Sequence, residues 1–235
     1  MVNPTTHVQS FESFFECWLI SQENYLRDLL RLVEGGGGDQ NYEVRCEALV
    51  GQVMDHYDQY FGAKARIVHE DVFLVFTPTW FSSFERTYLW IGGFRPGLAF
   101  RLVMNNVLDL TDDQSRRINR LMAEIKGEEN GLTDELTRVQ GGMTSPSMVE
   151  LARHLGRHQN GAAHNMESAV ERLRASMEAL VECADFLRRK TGINLVEILK
   201  PSQAVRFLAA TAQLQLRLRR WGMQRDAQNQ TQRNF

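Results

Sequence analysis

Apolar residues along this chain recur every three or four positions and almost never on alternate ones. Phe11, Phe14, Phe15, Trp18, Leu19, Leu26, Leu29, Leu30 and Val33 trace one broad stripe, as an amphipathic helix packed on one side requires. Gly35 to Gly38 end it; with no following Lys-Ser or Lys-Thr, this run reads as a surface loop rather than a phosphate cradle. A second helix is predicted from about Tyr42 to Tyr60. Thr111 with Gln114 has the form of a capping box, opening a helix with Ile118, Met122, Ile125, Leu132, Leu136 and Val139 along its seam. Glu129 occupies one step of that seam. Gly127 and Gly131 weaken the helix, Gly141 and Gly142 are expected to break it, and Ser145-Pro146 to restart one.

Met166, Val170, Leu173, Met177, Leu180, Ala184 and Leu187 then repeat as a heptad, predicted to lie antiparallel to the Ile118 helix and to end at Thr191-Gly192. The seam is expected to close within the chain, although its mixed-charge border also allows a homodimer. A last helix starts near Pro201 and carries Val205, Leu208, Ala209, Ala212 and Leu216, reaching Trp221. No strand is predicted. The expected fold class is all-α, a single-domain antiparallel helix bundle, with residues 1–10 as a tail, 11–223 as the domain and 224–235 as a disordered Gln- and Asn-rich tail.

The densest stretch runs from Thr79 to Val103. Ser82 and Glu85 have the spacing of a second capping box, predicting a helix from about Phe84 that Gly92 and Gly93 close before Pro96. Its aromatics and arginines also suit an interface, so Trp80, Phe81, Trp90, Phe94 and Arg95 are candidate partner-binding residues. Arg217 and Arg220, with Trp221, are added from the last helix. There Arg206, Arg217, Arg219, Arg220 and Arg225 face the single Asp226, and the simpler expectation is a solvated outer face pairing with acidic neighbours.

Composition narrows the function classes. A chain of 235 residues, 43% hydrophobic, can bury one core without metals or disulfides. The net charge of −2 gives no global field for nucleic acid, so direct nucleic-acid binding is not expected. Cys17, Cys46 and Cys183 read as reduced thiols, and no signal peptide or membrane span is predicted. His154 and His158 have i, i+4 spacing with His164 nearby. Arg153 and Arg157 would repel a cation, and no metal site is expected. His56 reads as a polar patch beside Asp55 and Asp58. No catalytic residues are assigned, and the chain is read as a non-enzyme.

Several separated blocks resemble the plant seed dormancy control domain, named for the delay of germination proteins and forming the C-terminal half of TGA-type bZIP transcription factors. They are Phe14-Phe-Glu-Cys-Trp-Leu19, His56-Tyr-Asp-Gln-Tyr-Phe61, the Trp80 to Val103 core, Leu110-Thr-Asp-Asp-Gln114, Ala184-Asp-Phe-Leu-Arg188, and Pro201-Ser-Gln-Ala-Val-Arg-Phe-Leu208 leading to Trp221-Gly222. The resemblance implies a nuclear and cytoplasmic plant regulator of seed dormancy, abscisic acid or developmental signalling and transcription. Its implied partners are type 2C protein phosphatases and TGA-type bZIP factors. A TGA-like domain that contacts DNA through a dimer partner is one alternative; a sensor of an apolar ligand such as a fatty acid in the bundle core is another. The family's haem-associated histidine pair aligns with Gln215 and Arg219, neither a good axial ligand, so haem is not expected.

Overall fold

The computed structural model describes residues 4–35, 41–143 and 162–233, and among them the chain forms eight helices and no strand. They are α1 (Pro4–Gly35), α2 (Tyr42–Glu70), α3 (Phe73–Phe76), α4 (Ser83–Arg86), α5 (Leu98–Asn106), α6 (Asp112–Met143), α7 (Ala162–Ile198) and α8 (Pro201–Arg233). The fold is all-α, a helix bundle. The segment 144–161 holds Ser145-Pro146, His154 and His158, and those expectations lie outside the described residues, as does the side chain of His164.

Helices α1, α2 and α8 pack on one another. Phe11 meets Tyr60 while the Tyr42 hydroxyl donates to Leu32 O, so α1 and α2 run antiparallel. Helix α7 lies antiparallel to α2, with Asp58 near Arg189 at one end and the Glu70 carbonyl near Arg174 at the other. It is also antiparallel to α6: Gln114 Nε2 donates to Ile198 O, and Lys190 reaches Glu124 and Glu128. The seam holds through Met177, Leu180, Ala184 and Leu187 against Ile118 and Ile125, all buried. Its first turns are open, with Val170 exposed and Leu173 half-buried, and Leu121 takes the buried place expected for the exposed Met122.

Both capping boxes form. Ser82 Oγ accepts from Glu85 N while Glu85 accepts from Ser82 N; Thr111 and Gln114 exchange the same pair of bonds. The second box is tied further, because Gln114 Nε2 also donates to Gln203 Oε1, fixing the start of α6 to that of α8.

Several helix ends differ from those the sequence predicts. Helix α2 continues past Tyr60 to Glu70, since Ala63, Lys64, Ile67 and Val68 keep its buried face going. The helix opened by Ser82 is a single turn ending at Arg86. Gly92 belongs instead to a tight turn in which Trp90 and Gly93 exchange backbone hydrogen bonds, with positive φ at both Ile91 (46°) and Gly92 (67°), as in a type I′ turn. Helix α6 runs through Gly141 and Gly142, and α7 runs through Thr191-Gly192, where the Thr191 hydroxyl is satisfied by Leu187 O. Helix α1 already begins at Pro4, and α8 extends to Arg233 instead of fraying into a tail after Met223. Asp226 holds that extension by accepting from Ser83 N at 2.8 Å and from the Ser83 hydroxyl. Gly222 permits the contact, since a Cβ there would sit 2.1 Å from Ser82 Oγ.

His56 is a core residue and not a surface patch. Its ring stacks on Trp18 at 4.5 Å, its carbonyl accepts the Trp18 indole N–H, and Nε2 is buried without a partner among the described residues. Burial pushes its pKa down to about 4 from 6.5. In the window between those values the unfolded chain binds a proton that the folded one refuses, so stability falls with falling pH. That loss should reach on the order of 3 kcal/mol by pH 4. A His56→Phe chain should lose this part of the acid dependence in urea titrations at pH 7, 5.5 and 4.5; an unchanged dependence would assign it to other groups.

Candidate functional site

A cavity of about 220 Å³ lies where α2, α5, α7 and α8 meet. Trp18, Phe61, Phe81, Phe94, Leu102 and Leu208 are among its apolar walls. Its polar end comes from Lys64, Asp185 and Arg188. Lys64 Nζ donates to Asp185 Oδ1 at 2.8 Å, and Arg188 Nη1 donates to the same oxygen at 2.5 Å. Two cations thus share one carboxylate at a site with little access to water, and the charge of the buried Glu129 also acts on Arg188.

Loss of hydration pushes the Lys64 ammonium down to about 8, against the opposing pull of Asp185. Burial likewise lowers Arg188 and raises the neighbouring phenols, Tyr57 to about 12 and Tyr60 further, with the Asp185 charge adding to the Tyr60 rise. Neither tyrosine is a ready base at neutral pH.

Arg188 also builds the rim. Its Nε donates to Phe94 O at 2.7 Å, and Nη2 donates to Ile91 O at 3.0 Å and to Trp90 O. One planar fork therefore holds two carbonyls of the positive-φ turn and that of Phe94 just after it. Ile91 is a buried β-branched residue at a φ that such residues rarely adopt, a conformation costing about 1–3 kcal/mol that persists because Arg188 fixes the carbonyls around it. Gly93 keeps the approach open: a Cβ there would lie 2.8 Å from Arg188 Cζ. Glu129, the charged step of the α6 seam, is buried and accepts from Gly97 N at 2.6 Å, anchoring the start of α5.

The candidate partner-binding residues do not form one surface. Trp80 and Trp90 are buried. The Trp80 ring packs on Phe11 at 4.6 Å and its carbonyl accepts from Arg219, while Trp90 lies under the guanidinium groups of Arg95 and Arg188 and donates its indole N–H to Thr133 Oγ1 at 3.0 Å. Phe81, Phe94 and Arg95 line the cavity, with only Arg95 exposed. Arg217, Arg220 and Trp221 stand apart on the exposed side of α8. The expected acidic partners of Arg217 and Arg220 are not found among the described residues. Gln215 and Arg219 serve internal contacts, Gln215 accepting from Gln22 and Arg219 lying 3.6 Å from Glu85.

Sequence reading missed Lys64 and the Asp185–Arg188 pair. Lys64 falls on the buried register with Tyr60, Ile67 and Val68, and that placement was the available signal. Among the described residues no three His, Cys, Asp or Glu side chains are grouped to hold a metal ion, and no helix is long and apolar enough to cross a membrane.

A family model described as seed dormancy control matches residues 25–105. Protein DOG1-like 4 of Arabidopsis thaliana is 34% identical over 221 residues, covering 92% of this chain and 94% of that protein. Protein RESPONSE TO ABA AND SALT 1 of the same plant is 34% identical over 223 residues, covering 92% and 96%. Transcription factor TGA3, also from A. thaliana, is 31% identical over 217 residues, 92% of this chain but 54% of the factor.

Proposed function

The chain belongs to the seed dormancy control family, and from that membership we propose that it is a non-enzymatic plant regulator acting through protein–protein contacts in seed dormancy, abscisic acid or developmental signalling and the regulation of transcription. The observation that carries the reading is the near end-to-end match to relatives of the same kind, one of them named for its response to abscisic acid and salt. TGA-type bZIP factors are the first partners proposed, because this chain corresponds to about half of such a factor, and type 2C protein phosphatases are the second. The proposed setting is nucleus and cytoplasm.

Calorimetric titration of the purified chain against a TGA-type factor and a type 2C phosphatase tests this. Saturable binding of at least one is expected. Binding of neither, together with salt-sensitive, sequence-selective binding of DNA by the chain alone, would replace the reading with that of a DNA-contacting factor.

The cavity favours a second reading, a sensor of an apolar carboxylic acid whose head meets Lys64 and Arg188. Its volume lies below the ~300–1,000 Å³ of usual ligand pockets, which favours a short acyl chain. Native mass spectrometry with decanoate should show a one-to-one adduct that Ala99→Trp, at the cavity wall, abolishes. An adduct that survives this change lies elsewhere.

A further inference from the structure

The outer strip of α8 after Leu216 combines features that the cavity and the core do not use. At about 100° per residue, Arg217, Arg220, Trp221, Gln224 and Arg225 fall on one side of the helix, and all five are exposed. No carboxylate shares the strip. Asp226, the only acid nearby on α8, turns inward to Ser83. The helix sorts its arginines by direction: those turned toward the protein find acids, Arg206 with Asp109 and Arg219 with Glu85. Arg217 and Arg220 find none among the described residues, in a chain whose net charge is −2, while the charge of Arg225 acts on Asp226.

Two further features border the strip. Trp221 remains 48% exposed although its ring packs edge-on against Phe84 at 4.1 Å; Tyr88, 5.2 Å from Phe84, prolongs the aromatic ridge, and the Arg225 guanidinium lies 5.4 Å over the indole. On the other flank a depression of about 300 Å³ separates α8 from α1, and Arg27, whose hydrogen-bond partner is the neutral Asn24, faces Arg217 and Arg220 across it. Among the described residues Glu23 is the sole carboxylate lining that depression.

We propose that this strip is a docking surface for an acidic amphipathic helix of a partner protein, with carboxylates set against Arg27, Arg217 and Arg220 and an apolar side chain against Trp221. The inference rests on the reading of the chain as a protein-binding module and adds the surface and the partner's chemistry. Charge complementarity selects the occupant, and tryptophan with arginine is the composition from which interface hot spots are built. The edge-on rings argue against nucleic acid, since they do not offer the row of open faces on which successive bases stack.

The test uses three synthetic helical peptides of one length, Glu/Leu, Gln/Leu and Lys/Leu, followed by fluorescence polarisation with the full chain. The Glu/Leu peptide is expected to bind at least tenfold more tightly than either other, and added salt should weaken it. The exposed-site changes Arg217→Glu with Arg220→Glu, and separately Trp221→Ala, should each weaken it at least tenfold with the melting temperature kept. Equal binding of the Gln/Leu peptide, no binding of the Glu/Leu peptide, insensitivity to the arginine changes, or full displacement by a single-stranded DNA oligonucleotide would each overturn the proposal. A second arm repeats the titration of a TGA-type factor with the double variant. If wild type binds and the variant binds equally, the surface is wrong and the function stands; if wild type binds neither factor nor phosphatase, it is the function that fails.

Discussion

Arg188→Met should lower the stability of the fold by about 3–5 kcal/mol, the scale for removing one partner from a buried charged network. At about 2–4 °C per kcal/mol for a domain of this size, that is a fall in Tm of roughly 6–20 °C. The cause is the number of groups released at once. Asp185 loses one of its two cations, and the carbonyls of Trp90, Ile91 and Phe94 lose the fork that ties them to α7. The turn that the first two belong to already carries the positive φ of Ile91, so it has little reason to keep its shape once released. Arg188→Lys separates charge from geometry: it keeps the cation beside Asp185 but has no planar fork for three carbonyls, and should recover less than half of the loss. A thermal melt of Arg188→Met within 2 °C of wild type would show that the turn is held by its apolar packing alone.

That network also marks the boundary of what the sequence makes legible. Period and capping are local, and they carry the helix class, the α6–α7 seam and both capping boxes, because the residues that decide them lie within a few positions of one another. Helix ends are decided by tertiary contacts. Thr191-Gly192 is a weak point only in isolation, and the packing of that part of α7 on α2 and α6 overrides the roughly 1 kcal/mol that a glycine costs a helix. The Gln- and Asn-rich end of α8 reads as unstructured until the approach of Gly222 to Ser82 and the Asp226–Ser83 bonds are known, across 140 residues or more of intervening chain.

Charged and aromatic residues both mislead. Lys64 and Arg188 carry the usual mark of the surface, yet Lys64 is buried and the Arg188 side chain is only 10% exposed, because each meets Asp185 and lines a cavity rather than close-packed hydrocarbon. Trp80 and Trp90 carry the usual mark of an interface anchor and are core. The reason is shared: a large amphipathic side chain is buried wherever its one polar atom finds a partner, or its ring finds enough others, and neither is written in the neighbouring residues. For Trp90 the partner is Thr133, one helix away; for Trp80 it is the ring contact with Phe11 that decides, since its indole nitrogen has no partner among the described residues.

Trp90→Ala should therefore cost about 3–5 kcal/mol, the range for truncating a large buried aromatic. Three losses combine. The indole leaves a void between α6 and the turn that the Arg188-held carbonyls cannot collapse to fill, the guanidinium groups of Arg95 and Arg188 lose the ring face they cover, and the Thr133 hydroxyl loses its donor. Trp90→Phe divides these. It keeps most of the buried area and a ring face but drops the indole N–H, so about 1–2 kcal/mol should go, of which a neutral hydrogen bond accounts for about 1. Urea unfolding of both variants at pH 7 checks the order, with the midpoint shifting and the slope unchanged. If Trp90→Ala instead melts like wild type and loses binding to a TGA-type factor, the ring is an accessible anchor, and the partner surface lies at the cavity rim beside Arg95 rather than on α8.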